Sequence, residues 1–113
     1  MTWAEWANRM YPVLTELASD HNTIRYPELR DIIQFGGIPY WLGKPLGRVA
    51  TYCHRNGLPI LNVIAINKSG APGSGIPFVE NHLLERERVF AFDWHSVRSV
   101  SSDDFLEPGC LSA

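Results

Sequence analysis

Cys53-His54-Arg55 is the tripeptide with the most obvious chemical potential in this chain. A thiol beside an imidazole and a guanidinium is the environment in which a cysteine becomes a thiolate nucleophile. Its spacing argues against that use. Leu46, Val49, Ala50 and Cys53 recur every three or four residues, which puts Cys53 on the inward side of a helix as a small core residue. Four histidines are present, His21, His54, His82 and His95, and no pair has the H-x-x-x-H spacing of a helical zinc site. His82 and His95 with Asp93 could be composed into a nuclease-like cluster around Asn81, but nothing in their spacing fixes the geometry such a site needs. Gly70, Gly73 and Gly75 could cradle a phosphate on backbone amides. A phosphate-binding loop, however, runs from strand into helix and ends Gly-Lys-Ser/Thr, whereas Lys68 here precedes the glycines, so a hairpin or wing is the better reading. The residues therefore predict a protein without catalytic activity, metal or cofactor.

Charge points to binding instead. The net charge is only −2, yet residues 1–31 carry three bases and five acids, residues 32–79 four bases and no acid, and residues 80–113 three bases and seven acids. Such asymmetry predicts one positive and one negative face. Lys44, Arg48, Arg55 and Lys68 are the bases of the middle segment. Arg48 and Arg55 lie two helical turns apart and so share a face opposite Val49 and Cys53. With Lys68, Ser69 and Ser74 on the glycine-rich turn, they are the candidate contacts to DNA phosphates or base edges. Tyr40 and Trp41 precede the basic helix and could stack on bases, although burial in the core is favoured for large aromatics in a small domain. The competing partner is a protein. Glu85, Glu87, Asp103, Asp104 and Glu107 would then form an acidic surface that mimics nucleic acid or fills a basic groove, as an inhibitor of a host defence complex would (an anti-CRISPR protein, for instance).

The elements that must position these residues follow from local signals. Thr2-Trp3-Ala4-Glu5 is a capping box opening an amphipathic helix over residues 3–18, bent or split at Pro12. Pro27 opens a second helix ended by Gly36-Gly37, and Pro45 a third ended by Asn56-Gly57. The pair matches the helix-turn-helix plan. Leu58–Asn67, rich in β-branched residues, predicts a buried strand, residues 68–75 a basic wing, and residues 76–79 the returning strand. Asn81 caps a short helix, His82–Arg88, and Val89–Trp94 predicts a further strand. The whole predicts an α+β, winged-helix-like domain over residues 1–98, with three helices and a small antiparallel sheet, and a polar tail over 99–113. At 113 residues and 45% apolar this is one globular domain. The N-terminus lacks the apolar region of a secretion signal and no run suits a membrane span, so the expected location is cytoplasmic with reduced thiols.

Two resemblances bear on this reading. The order Tyr52-Cys53, Leu58-Pro59-Ile60-Leu61, Asn67-Lys68-Ser69-Gly70-Ala71-Pro72-Gly73-Ser74-Gly75 and Val89-Phe90-Ala91-Phe92-Asp93-Trp94 resembles an uncharacterised group of small bacterial proteins found in mobile elements and defence regions. It implies a phage, plasmid or defence-island setting and no particular chemistry. Less closely, Ile24-x-Tyr26-x-Glu28-Leu29, Leu46-Gly47 and Asn56-x-Leu58-Pro59 resemble the DNA-binding half of the DNA alkyltransferases. In that family the acceptor cysteine follows the Asn-Pro region; here Cys53-His54-Arg55 precedes it, Tyr52 stands for the proline, and Val63-Ile64-Ala65-Ile66 carries no cysteine. That likeness implies a winged-helix architecture without the alkyl-transfer activity.

Overall fold

Thr2 starts the first helix by exchanging hydrogen bonds with Glu5. The Thr2 hydroxyl accepts the Glu5 amide at 3.1 Å and the Glu5 carboxylate accepts the Thr2 amide at 2.9 Å, a reciprocal cap that also holds the Glu5 carboxyl below its ordinary range. In the computed structural model, which describes residues 2–66, 78–97 and 99–105 and only the backbone of residues 39 and 40, helix α1 then runs unbroken over Trp3–Ser19. Pro12 lies inside it and cannot donate to the carbonyl four residues back. Burial of Ala4, Ala7, Met10, Tyr11, Leu14 and Ala18 along one side holds the helix together across that gap.

Strand β1 (Ile24–Arg25) leads directly into α2 (Tyr26–Ile33). Glu28 accepts the Arg25 amide at 3.2 Å at its start. The helix ends at Gln34 rather than at the glycines, with Gln34 itself left-handed at φ 60°. A 3₁₀ turn, Pro39–Leu42, passes into α3 (Gly43–Arg55). Here the expected stop is present: Gly57 is left-handed at φ 67°, the Leu58 amide bonds the Cys53 carbonyl at 2.8 Å and the Gly57 amide the His54 carbonyl at 3.3 Å, the two bonds of a Schellman cap.

Beyond this point the winged-helix expectation fails. The apolar run after Gly57 forms a buried 3₁₀ turn, Leu61–Ile64, and only a two-residue strand, β2 (Ala65–Ile66). β2 pairs with β1 in parallel, Ile24 opposite Ala65 and Arg25 opposite Ile66; the expected sheet was antiparallel. Ahead of β2 the run stays buried without a ladder, and side chains of α4 satisfy part of its backbone. Glu85 accepts the Ile60 amide at 2.8 Å and Arg86 donates to the Val63 carbonyl at 3.2 Å, while the run's own Asn62 side chain donates to the Leu46 carbonyl of α3 at 2.7 Å. Nor do α2 and α3 form a helix-turn-helix pair: α3 packs on α1 and on the 61–64 turn, while α2 sits against the 39–42 turn, α1 and β1. The wing, residues 68–75, and residues 76 and 77 of the returning strand lie outside the described residues.

A fourth helix, α4 (His82–Ala91), takes in residues expected as a strand. Asn81 caps it, its side chain accepting the Leu83 and Leu84 amides. The alternation expected over Val89–Trp94 gives way to the end of α4 and a 3₁₀ turn, Trp94–Ser96, in which Trp94 is buried and donates its indole N–H to the Val89 carbonyl at 2.7 Å. The segment expected as a loose tail enters the core as well. Ser102–Phe105 is a 3₁₀ turn packed on α1 and α3, and Phe105 is 1% exposed. The architecture among the described residues is four α-helices around one apolar core, with a minimal parallel two-stranded sheet, in place of a three-helix winged helix. No helix of the described residues is long and apolar enough to cross a membrane.

Candidate functional site

Helix α3 separates its residues sharply. Pro45, Leu46, Val49, Ala50, Tyr52 and Cys53 are buried, Gly43, Lys44, His54 and Arg55 are exposed, and Gly47, Arg48 and Thr51 lie between. At 100° per residue Lys44, Arg48 and Arg55 fall within roughly 40° of one another on the solvent side, with Lys44 and Arg55 about 16 Å apart along the axis. The helix carries no acidic residue. Thr51 lies between Arg48 and Arg55 on this side, and Gly43 and Gly47 lie to one side of the cations, where an added Cβ would meet nothing within 4 Å. Arg48, at the edge of this side, donates to the Phe105 carbonyl at 3.1 Å and so also ties α3 to the C-terminal turn. Lys68, Ser69 and Ser74 lie outside the described residues.

Trp41 stands ahead of this surface and is 53% exposed, against the expectation that it packs into the core. Ile38, three residues earlier, is 57% exposed. The indole leans on Gly37, where a Cβ would come within 3.5 Å of the Trp41 ring and 2.8 Å of Phe35. A side chain at 37 would therefore displace the Phe35 ring, while it would meet the Trp41 ring at ordinary contact distance. Phe35, which meets Trp6 edge-on at 5.0 Å between ring centroids, and Phe105 are buried in the core. At the far end of α3, His54 stacks on Phe78 with centroids 3.9 Å apart. No local signal in the sequence marks Trp41 as exposed.

Two of the four described acidic candidates bond within the fold. Glu85 is turned into the fold, where it accepts the Ile60 amide at 2.8 Å and the Arg88 guanidinium at 2.8 Å. Asp104 is half-buried and accepts the Ser101 amide at 2.9 Å. Glu87 and Asp103 are exposed, and Glu107 lies outside the described residues.

The groups with catalytic potential are dispersed. His82 opens α4 and His95 follows its far end, so a helix about 15 Å long separates them. Asp93 accepts the His95 amide at 3.1 Å and caps its own turn. Among the described residues no group of three His, Cys, Asp or Glu side chains could hold a metal. Two adjoining clefts lie beside α1, of about 410 and 270 Å³, both lined by Thr15 and Trp94 and neither by any residue of α3.

Cys53 is fully buried. Burial pushes its thiol up to about 12, the negative charge of Glu85 adds to the rise, and a hydrogen bond with the Leu61 backbone opposes it. The protonated thiol is a poor nucleophile. Thiol reagents are expected to label Cys53 slowly in the folded protein, as read by mass spectrometry of the modified peptide; rapid labelling would contradict this burial. The shift also sets a pH dependence. Since the folded-state value lies above the ordinary 9.0, the stabilisation is complete below about pH 9 and is lost as pH rises toward 12. Unfolding free energies measured from pH 8 to 11 should fall more steeply for the native chain than for Cys53→Ala.

Comparison of the chain with protein-family models, curated proteins and solved structures finds no match. The functional reading therefore rests on the geometry above.

Proposed function

We propose that this protein is a non-enzymatic nucleic-acid-binding module that docks through the solvent side of α3. The observation that carries this reading is the alignment of Lys44, Arg48 and Arg55 on one side of a helix that has no acid. Cations in that arrangement approach phosphates without a competing carboxylate on the same helix, and release of condensed counterions supplies affinity. Lys44 and Arg55 carry most of it, because Arg48 already serves the Phe105 carbonyl. The resemblance to small mobile-element and defence-region proteins suggests the biological setting. The reading as an inhibitor acting through an acidic face has less support, since Glu85 bonds within the fold.

Binding should depend steeply on salt. Three phosphate contacts correspond to a log–log slope of about −2 to −3. Fluorescence anisotropy with labelled oligonucleotides from 20 to roughly 200 mM salt measures it. Lys44→Gln with Arg55→Gln should weaken binding and flatten the slope by about 2. The charge-matched pair Arg25→Gln with Arg30→Gln, on β1 and α2, should leave both nearly unchanged. Equal losses from the two pairs would reduce the effect to net charge and remove the assignment to α3.

A further inference from the structure

An exposed indole directly ahead of a basic helix side restricts the kind of nucleic acid that fits. Trp41 is 53% and Ile38 57% exposed on the turn that leads into α3, and Lys44 follows three residues later. We infer that the occupant of this surface is a single strand, with Trp41 as the platform on which an unpaired base stacks and Lys44 and Arg55 as contacts to the adjoining backbone. The inference rests on the nucleic-acid reading of α3 and adds the strandedness of the ligand.

Duplex and single strand offer an indole different surfaces. In a duplex the base faces are stacked on one another, and reaching them requires unstacking a step at a cost of a few kcal/mol. In a single strand the faces are open, and an aromatic side chain gains by stacking whichever base is presented. Burying an exposed tryptophan and isoleucine against bases also removes apolar surface from water, which phosphate contacts alone do not. The support behind the indole matters too. Gly37 lets the ring lie against the chain, with Phe35 on the inner side of the same glycine, and Phe35 is in turn held between Trp3 at 6.3 Å and Trp6 at 5.0 Å between ring centroids. Trp41 thus stands next to a packed aromatic group while its own ring stays open to solvent. The open space at Gly43 and Gly47 leaves room for the strand beside the first turn of α3.

The test compares a 12-nucleotide oligo-dT with a 12-base-pair duplex, using native protein, Trp41→Ala, Trp41→Phe and the double variant Lys44→Gln/Arg55→Gln. Circular dichroism verifies folding of each, and sedimentation follows self-association. The expected result is tighter binding of oligo-dT than of duplex, a loss of about tenfold with Trp41→Ala, and a smaller loss with Trp41→Phe, which keeps an aromatic face. Preference for the duplex, or an unchanged oligo-dT affinity in Trp41→Ala, would overturn the single-strand inference. If Lys44→Gln/Arg55→Gln still weakens binding in that case, the assignment of α3 stands without it; if that variant binds like the native protein, both fall. A dimer that Trp41→Ala dissolves would show the indole to be a contact between copies of this chain, and would likewise overturn the inference.

Discussion

Phe105→Ala is expected to destabilise the fold by about 3–5 kcal/mol, the cost of truncating a fully buried phenylalanine. The ring is 1% exposed and meets Tyr52 at 5.1 Å and Tyr11 at 5.7 Å between centroids, while those two tyrosines meet each other edge-on at 5.4 Å. Removing it empties the junction of α1, α3 and the 102–105 turn at once. It also frees the turn whose backbone carbonyl holds Arg48 at 3.1 Å, so the position of one proposed binding cation depends on it. Domains of this size have roughly 5–15 kcal/mol in total, and the variant should unfold at a much lower urea concentration than the native protein. A midpoint shift equivalent to less than about 1 kcal/mol would mean that residues 99–105 do not belong to the core.

Glu85→Ala should cost about 2–3 kcal/mol, although a charge count of α4 would class the residue as solvated surface. Its carboxylate bonds the Ile60 amide at 2.8 Å, and Ile60 is itself buried. Without the carboxylate that amide stays buried and unpaired, and the penalty of a desolvated donor is larger than the net worth of an ordinary hydrogen bond. The Arg88 pair adds little, since its guanidinium is 64% exposed. Glu85→Gln keeps an acceptor oxygen for Ile60 and should recover much of the loss. If the Gln variant is as unstable as the Ala variant, the ion pair rather than the amide bond sustains this region. Urea unfolding of the three chains decides between them.

These two residues show where the sequence was legible and where it was not. The Thr2–Glu5 box, the inward stripe of α3 and the Asn56-Gly57 stop were readable because each is settled within one or two helical turns by caps and spacing. The run Leu58–Asn67 reads as one strand in sequence, whereas among its described residues only Ala65–Ile66 is strand, for the opposite reason. Two of its backbone partners, Glu85 and Arg86, are side chains of α4 more than twenty residues away. A β-branched composition reports that a segment is buried, and a ladder is only one way to satisfy buried amides. Val89–Trp94 failed similarly: two-residue alternation over six residues cannot be told from the last turn of a helix followed by a buried Trp. With α4 in place of a strand and β2 parallel to β1, the winged helix dissolved.

The candidate site was legible in part. The placement of Lys44, Arg48 and Arg55 on one side follows from helical periodicity alone. The engagement of Arg48 by Phe105 and the exposure of Trp41 required the tertiary packing. The acidic residues were the least legible, because sequence gives their charge and not whether a backbone amide claims it, as Ile60 claims Glu85 and Ser101 claims Asp104.

The central claim is that the solvent side of α3 contacts nucleic acid. Titrating oligo-dT into ¹⁵N-labelled protein and following amide chemical shifts tests it residue by residue. The account predicts that the largest shifts lie at Trp41, Lys44, Gly47, Arg48, Thr51 and Arg55, including the Trp41 indole N–H, while α4 and the 94–96 turn remain unmoved. Shifts confined to α4 and the clefts beside α1, or none at all at saturating oligonucleotide and low salt, would contradict it.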